Sequence, residues 1–485
     1  MERFALPTAA FLNPDGSNRP EIEQLARQGL ALLLDQGLSA GDRLPLPLQA
    51  PAVDGSIPEW GMPWSDLLEK LLPLVQGGMN PAHPGYLGHM DPIASTASIL
   101  GDAIAAQMNN NLLSVEMSPT LSRLEQAVLR QLARQQFGLG PQSGGLLLSG
   151  GSLANLQALA VARNHHFPVQ AHGLGVLGLR PVLLASEAAH TSLQKAAMLL
   201  GLGSEAVLPV ATDAQGRMRL EAARQVLADA RLLGQQPFCL VATAGTTVTG
   251  SIDPLPELAV LAREAGLWFH VDASFGGALA FSDRHRDRLQ GIEQADSVTF
   301  NPQKWLCVTK TCAALLVRDW AGMTDCFRTA APYMTEDDDL INLGEVSVQG
   351  TRHADILKLW LTLCHFGRQG CGELVDRSLA LAACFRRRLE QRPELEAVVE
   401  PTLNIFCIRP RRADSATMLD LQRSLQRQGF FLSLPQFQGQ RWLKAVLVNP
   451  HTTEATLDEL FAAIDHFLEP AAAPVRRPSR DIPTL

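Results

Sequence analysis

Between residues 86 and 365 the chain alternates short, unbroken apolar runs with stretches of helical periodicity. The runs fall at 145–148, 181–185, 238–243, 267–271, 297–300 and 313–317. Strands with one solvated face alternate apolar and polar residues, whereas strands covered on both faces stay apolar throughout. The pattern predicts an α/β domain with a mostly parallel central sheet flanked by helices. Upstream, residues 1–85 read as a helical segment broken by Pro/Gly loops. There, 21–34 has apolar residues at helical spacing, and Pro63-Trp64-Ser65-Asp66 opens a second helix with a capping pattern. The Pro-rich stretch 44–58 reads as a linker or extended arm. Residues 366–468 predict a small α+β lobe with strands at 403–408 and 442–448, and 469–485 reads as a disordered tail.

Composition changes this picture little. The 485 residues are 46% hydrophobic and 19% charged, ordinary for a globular chain of two or three lobes. A net charge of −8 argues against a nucleic-acid or anionic-membrane partner. No apolar stretch approaches the roughly 18 residues needed to span a bilayer, and the N-terminus lacks the basic start and apolar run of a signal peptide. The eight cysteines include no Cys-x-x-Cys pair and no His partner at zinc spacing, so no metal site is expected. They read as reduced thiols, which makes the cytoplasm the default location.

Four segments carry candidate chemistry, each at the end of an apolar run. Ser149-Gly150-Gly151-Ser152 precedes good helix formers. Glycines let backbone amides approach an anion, and a helix N-terminus favours negative charge; a plain strand-to-helix turn has the same residues. Ala242-Thr243-Ala244-Gly245-Thr246-Thr247 ends a second run. In Phe269-His270-Val271-Asp272-Ala273-Ser274 a carboxylate closes a third; it needs a cation there, or it caps the next turn. Asn301-Pro302-Gln303-Lys304-Trp305 places a lysine beside a Trp and an apolar stretch, where burial lowers an amine pKa as Schiff-base chemistry requires. In open α/β sheets ligands bind at the carboxyl ends of strands. An anion cradle, an Asp at a strand end and a Lys 32 residues later are the parts that pyridoxal 5′-phosphate requires.

From about 83 to 451 the chain resembles the group II pyridoxal-phosphate-dependent amino-acid decarboxylases, most densely in His-Val-Asp-Ala at 270–273 and Asn-Pro-Gln-Lys-Trp at 301–305. The resemblance implies fold type I of the pyridoxal-phosphate-dependent transferases and decarboxylation of an L-amino acid to an amine and CO2 through an external aldimine and a quinonoid. It implies an aldimine on Lys304, a pairing of Asp272 with the pyridine nitrogen, and Ser274 beside the ring. His190, in Ser186-Glu187-Ala188-Ala189-His190, would stack on the ring. Gly151 and Ser152 would hold the phosphate with Asn301 nearby, and Thr247 would contact the cofactor. A homodimer is implied, because a loop must reach across to the partner's site.

One departure stands out. The family protonates its quinonoid with a tyrosine on that mobile loop, whose position falls near 341–343, where this chain has Ile341-Asn342-Leu343. Tyr333 lies upstream on the same loop and is one substitute; His190 is the other. Losing that acid can divert such an enzyme to oxidative aldehyde formation, so an aldehyde synthase, or another fold-type-I lyase, is the alternative. Substrate contacts are expected from the segments holding His89 and Asn111, whose polar character favours a polar or small amino acid, although such asparagines also cap loops.

Overall fold

The computed structural model describes residues 9–330, 332 and 340–469. Each continuous apolar run of the large region becomes a strand, and the intervening periodic stretches become helices. In chain order these are α3 (Thr96–Met108) and α4 (Pro119–Gln131), preceded by α1 (Arg19–Leu38) and α2 (Trp64–Gln76), then β1 (Gly144–Leu148), α5 (Gly151–His166), β2 (Arg180–Ser186), α6 (Ser192–Leu199), β3 (Val207–Val210), α7 (Leu220–Leu232), β4 (Gln235–Thr243), α8 (Leu255–Ala265), β5 (Trp268–Asp272), β6 (Ser297–Phe300), β7 (Ala313–Val317) and α9 (Trp320–Phe327). The seven strands form one sheet in the order β1-β7-β6-β5-β4-β2-β3. All neighbours pair in parallel except β7, which is antiparallel to β6 and β1. The carboxyl ends of β1, β2, β4, β5 and β6 therefore share one edge of the sheet. Both faces are covered by apolar clusters, which explains why the strands are apolar throughout.

Some elements differ from expectation. Strand β3 escapes the apolar-run test because Val207-Leu208-Pro209-Val210 carries a proline, tolerated because β3 is an edge strand. Helix α2 starts where predicted but with Pro63 as its N-cap and no side-chain capping bond. The other edge strand, β1, is completed by a buried ion pair rather than a neighbour. Leu147 N–H donates to Glu125 Oε1 at 2.9 Å, Leu147 O accepts from Arg352 Nη2 at 2.8 Å, and Arg352 pairs with Glu125.

A long helix, α10 (Asp355–Glu390), leads away from this sheet and is interrupted at Gly367 (φ 66°, ψ 171°). It packs so closely on α3 that a Cβ on Gly101 would lie 2.7 Å from the Lys358 Cα. Buried Lys358 bonds Asp355 at 2.9 Å and Asp102 at 3.5 Å. Beyond it come β8 (Leu395–Ala397), β9 (Ile405–Pro410), α11 (Ser415–Arg427), the hairpin β10 (Gln436–Phe437) and β11 (Gln440–Arg441), β12 (Leu443–Val446) and α12 (Glu454–Leu468). β8, β9 and β12 make an antiparallel sheet with its own core. Gly85–Leu87, which the sequence division attaches mainly to the large region, bonds to this lobe instead: Leu87 N–H donates to Phe431 O, and Leu87 O accepts from Val446 N–H. Of the expected tail, 469–485, Glu469 caps α12 and residues 470–485 lie outside the described residues.

Candidate active site

The shared strand edge holds a cavity of about 290 Å3 lined by Ser149–Ser152, Asn155, His190, Ser192, Thr243, Gly245, Thr247, Asp272, Ser274, Asn301, Gln303 and Lys304. The eight residues expected to hold a cofactor, Gly151, Ser152, His190, Thr247, Asp272, Ser274, Asn301 and Lys304, are thus brought together from five strand ends.

The cradle begins with Gly150 at φ 104°, a left-handed conformation that favours glycine. Gly151 follows as the first residue of α5, where a Cβ would fall 2.5 Å from Asn301 Nδ2 and 3.1 Å from Ser274 Oγ. Gly151 and Ser152, whose amides precede the first bonds of the helix (Leu153 and Ala154 N–H to Gly150 O), both line the cavity. Two buried cavity atoms, Thr243 Oγ1 and Asn301 Oδ1, have no hydrogen-bond partner among the described residues. A side-chain-free cradle at a helix N-terminus, with unpartnered polar atoms around it, fits a phosphorylated ligand.

Asp272 closes β5. Its Oδ2 accepts from Asn155 Nδ2 at 2.8 Å and its Oδ1 from Ser274 N–H at 3.1 Å. Burial pushes this carboxyl up, but hydrogen bonding from Ser274, the charge of Lys304 and the Asn155 amide outweigh it, so the group stays below the usual carboxylate range. Lys304 sits in a turn closed by its own N–H donating to Asn301 O at 3.0 Å, next to Trp305, which stacks on Phe275 at 4.9 Å. Its amine has no hydrogen-bond or carboxylate partner among the described residues, and burial lowers its pKa against the pull of Asp272 and Asp91. His190 Nδ1 accepts from Ser192 N–H at 3.1 Å, which leaves the ring proton of the neutral imidazole on Nε2.

The Pyridoxal-dependent decarboxylase conserved domain matches residues 47–411 of this chain. The chain belongs to the pyridoxal-dependent decarboxylase family. An acidic amino acid decarboxylase of Xenopus tropicalis is 34% identical over 361 residues, covering 73% of this chain and 70% of that protein. A cysteine sulfinic acid decarboxylase of Mus musculus is 31% identical over 422 residues, 82% and 85% of the two chains. The crystal structure of mouse CSAD in apo form superposes with a TM-score of 0.87 at 27% identity, over 93% of this chain and 99% of that one. The cofactor of this decarboxylase is pyridoxal phosphate, its fold is type I, and its reaction is the decarboxylation of an amino acid.

Other expected residues are placed elsewhere. Asn111 Oδ1 accepts from Leu113 N–H and Arg352 N–H, both at 3.0 Å, so it ties two loops together and does not line the cavity. His89 is exposed against Phe431, also outside the lining. Tyr333 lies outside the described residues. The 341–343 segment is pinned within its own chain: Ile341 O accepts from Gln126 Nε2, Asn342 Oδ1 from Val115 N–H, and Leu343 is buried.

One charged residue went unnoticed in the sequence. Lys444, on β12 of the C-terminal lobe, is 6% exposed, and its amine donates to Thr247 O at 3.3 Å, its only side-chain hydrogen bond among the described residues. It lies close enough to Lys304 for the two charges to repel, and burial lowers its pKa. Its carbonyl partner belongs to a residue that lines the cavity.

Proposed function

We propose that this decarboxylase carries its cofactor on Lys304 and removes the α-carboxyl group of an acidic L-amino acid, one of whose carboxylates pairs with Lys444. The observation that carries the reading is one cavity in which the unpartnered amine of Lys304 and the ionised Asp272 stand at separate strand ends beside the glycine cradle. Acidic substrates are favoured by the names of the two relatives above and by the buried ammonium of Lys444, which has no salt bridge to a carboxylate among the described residues and, of the carboxylates, feels only the more distant pull of Asp91.

Bound pyridoxal phosphate supplies the sink for the electron pair left at Cα when CO2 departs. The residues here do the rest. The α5 amides and Ser152 would hold the phosphate, with Asn301 beside them. Asp272 would accept a hydrogen bond from the ring nitrogen, Ser274 and Thr247 would border the ring, and Lys304, whose amine pKa burial lowers, would hold the aldehyde carbon. His190 would cover one ring face, and its Nε2 proton would make it the donor to Cα in place of a loop tyrosine. His190→Gln should slow turnover far more than Tyr333→Phe; the reverse result assigns the proton to Tyr333.

The enzyme is a homodimer in this reading. Helices α1 and α2 have no buried side chain, and their leucines 30, 33, 34, 67, 71 and 74 are exposed, an apolar surface that a second copy would cover. All eight thiols are free, as in a reducing compartment, and among the described residues no helix is long and apolar enough to cross a membrane; the cytoplasm is the assigned location. A panel of acidic, neutral and aromatic amino acids, assayed for CO2, amine, aldehyde and peroxide, tests the proposal. The highest kcat/KM should fall on an acidic substrate. A neutral or aromatic winner overturns the substrate assignment, and stoichiometric peroxide with aldehyde replaces simple decarboxylation by the oxidative reaction.

A further inference from the structure

Behind Asp272 a line of hydrogen bonds runs through the buried core. Trp268 Nε1 donates to Ser297 Oγ at 2.8 Å. Ser297 Oγ lies 2.8 Å from His270 Nδ1, and His270 Nε2 lies 3.2 Å from Asn155 Oδ1. Asn155 Nδ2 then donates to Asp272 Oδ2 at 2.8 Å and to Ser192 Oγ at 2.9 Å. Ser297 and His270 are wholly buried, and Trp268 is the most exposed member at 8%. The parallel register sets His270 opposite Ser297, and the two-residue strand period puts Trp268 on the same face as His270.

The direction of the line follows from its two ends. An indole N–H only donates, so Ser297 accepts from Trp268. An ionised carboxylate only accepts, so Asn155 turns its NH2 toward Asp272 and its oxygen toward His270. The Asn155 oxygen puts the imidazole proton on Nε2, and the bare Nδ1 then takes the hydrogen of Ser297, whose oxygen accepts from Trp268. The ring is neutral because burial pushes its pKa down to about 4, against the pull of Asp272. Aligned donors polarise one another, and the aligned dipoles all favour negative charge on Asp272. If the line breaks, the Asn155 amide is free to turn its oxygen toward the carboxylate, which then gains by taking a proton.

We infer that Trp268, Ser297, His270 and Asn155 are positioning residues that keep Asp272 an acceptor, and that they thereby make the site select a cofactor ring bearing a protonated nitrogen over an isosteric ring bearing carbon there. The inference rests on the reading of pyridoxal phosphate at Lys304.

The test measures equilibrium binding of pyridoxal phosphate and of its 1-deaza analogue, in which CH replaces the ring nitrogen, to cofactor-stripped full-length enzyme. Wild type should prefer pyridoxal phosphate. Asn155→Ala should shrink that preference about tenfold and Ser297→Ala about threefold, as expected for losing one buried hydrogen bond to a charge and one more distant neutral bond. Affinity for the analogue should hardly move. Ser297→Ala, the smaller change, carries the test on its own if Asn155→Ala does not fold. Equal weakening toward both ligands, or an unchanged preference, overturns the inference and leaves these residues a packing role. Failure of wild type to take up either ligand at Lys304 overturns the cofactor reading and this inference with it.

Discussion

On the floor of the cavity, Asp272 accepts hydrogen bonds at both oxygens and ends a line of four further side chains. At the rim, the side of the C-terminal lobe, Lys444 stands outside the lining and is nearly as buried, and its side chain has one hydrogen bond among the described residues, to the carbonyl of the lining residue Thr247 3.3 Å away. The floor serves a ligand that never changes, so its polar groups are satisfied by the chain itself and pre-aligned. On the proposed reading the rim serves a ligand that comes and goes, and a charge is left for the substrate to complete. An uncompensated buried ammonium costs stability, and retaining it makes sense where binding repairs the deficit.

The largest effect should come from removing the residue around which the floor is organised. Lys304→Ala should abolish the visible absorption of lysine-bound cofactor and cut turnover on the order of a thousandfold or more. A band that survives would relocate the attachment. The rim comes next. Lys444→Met should lower kcat/KM for the acidic substrate about 10- to 100-fold, mostly through KM, since a charge-assisted bond to substrate is lost. The same variant should melt higher than wild type without substrate, because it removes an unpaired charge. A lower melting temperature with unchanged kinetics would make Lys444 a structural residue and erase the contrast.

A third test addresses the floor through pH. His270 titrates at about 4 in the folded chain, against 6.5 for the unperturbed group. Between those values the unfolded chain binds a proton that the native one does not, so this stability is present above about pH 6.5 and lost as pH falls toward 4. Buried Asp253 works the other way: burial raises it to about 6 from 3.8, so its contribution is lost as pH rises through that window. His270→Gln should therefore tilt the stability curve between pH 4 and 6, with less gain on raising pH than wild type shows. Urea unfolding across that range checks it; an unaltered slope would mean His270 is already protonated in the native chain.

The floor was legible in the sequence because its residues lie in contiguous motifs at strand ends, where the α/β topology gathers them without any knowledge of long-range packing. Lys444 was not, since it arrives from another lobe and its place depends on how β12 packs against the loop after β4. A signal existed: a lysine between Leu443 and Ala445 puts a charge inside an apolar strand. His89 and Asn111 stand in segments that the family resemblance ties to substrate, but a segment does not say what one side chain touches: asparagine bonds nearby backbone as readily as ligands, as Asn111 does with Leu113. The line behind Asp272 was half visible. His270 and Asp272 share a motif, while Ser297 joins them only through the β5–β6 register.

Floor and rim meet at the loop after β4, and the smallest predicted effect lies there. Ser251 Oγ donates to Gln215 O at 2.7 Å, so it accepts from Thr249 Oγ1 at 2.8 Å, which in turn accepts from Thr246 Oγ1 at 2.6 Å; Ser251 N–H closes the ring onto Thr246 Oγ1 at 3.0 Å. This ring of hydroxyls holds Thr247, which lines the cavity and whose carbonyl anchors Lys444. Thr249→Val keeps the shape and removes the central hydroxyl, leaving Thr246 without its acceptor at a cost of about 1–2 kcal/mol in unfolding free energy. If the loop belongs to the rim, KM for the acidic substrate should rise a few-fold while cofactor affinity holds, because Lys444 loses its fixed anchor. If cofactor affinity falls in step, Thr247 is part of the floor, and the boundary between fixed and substrate-completed halves moves to Lys444 itself.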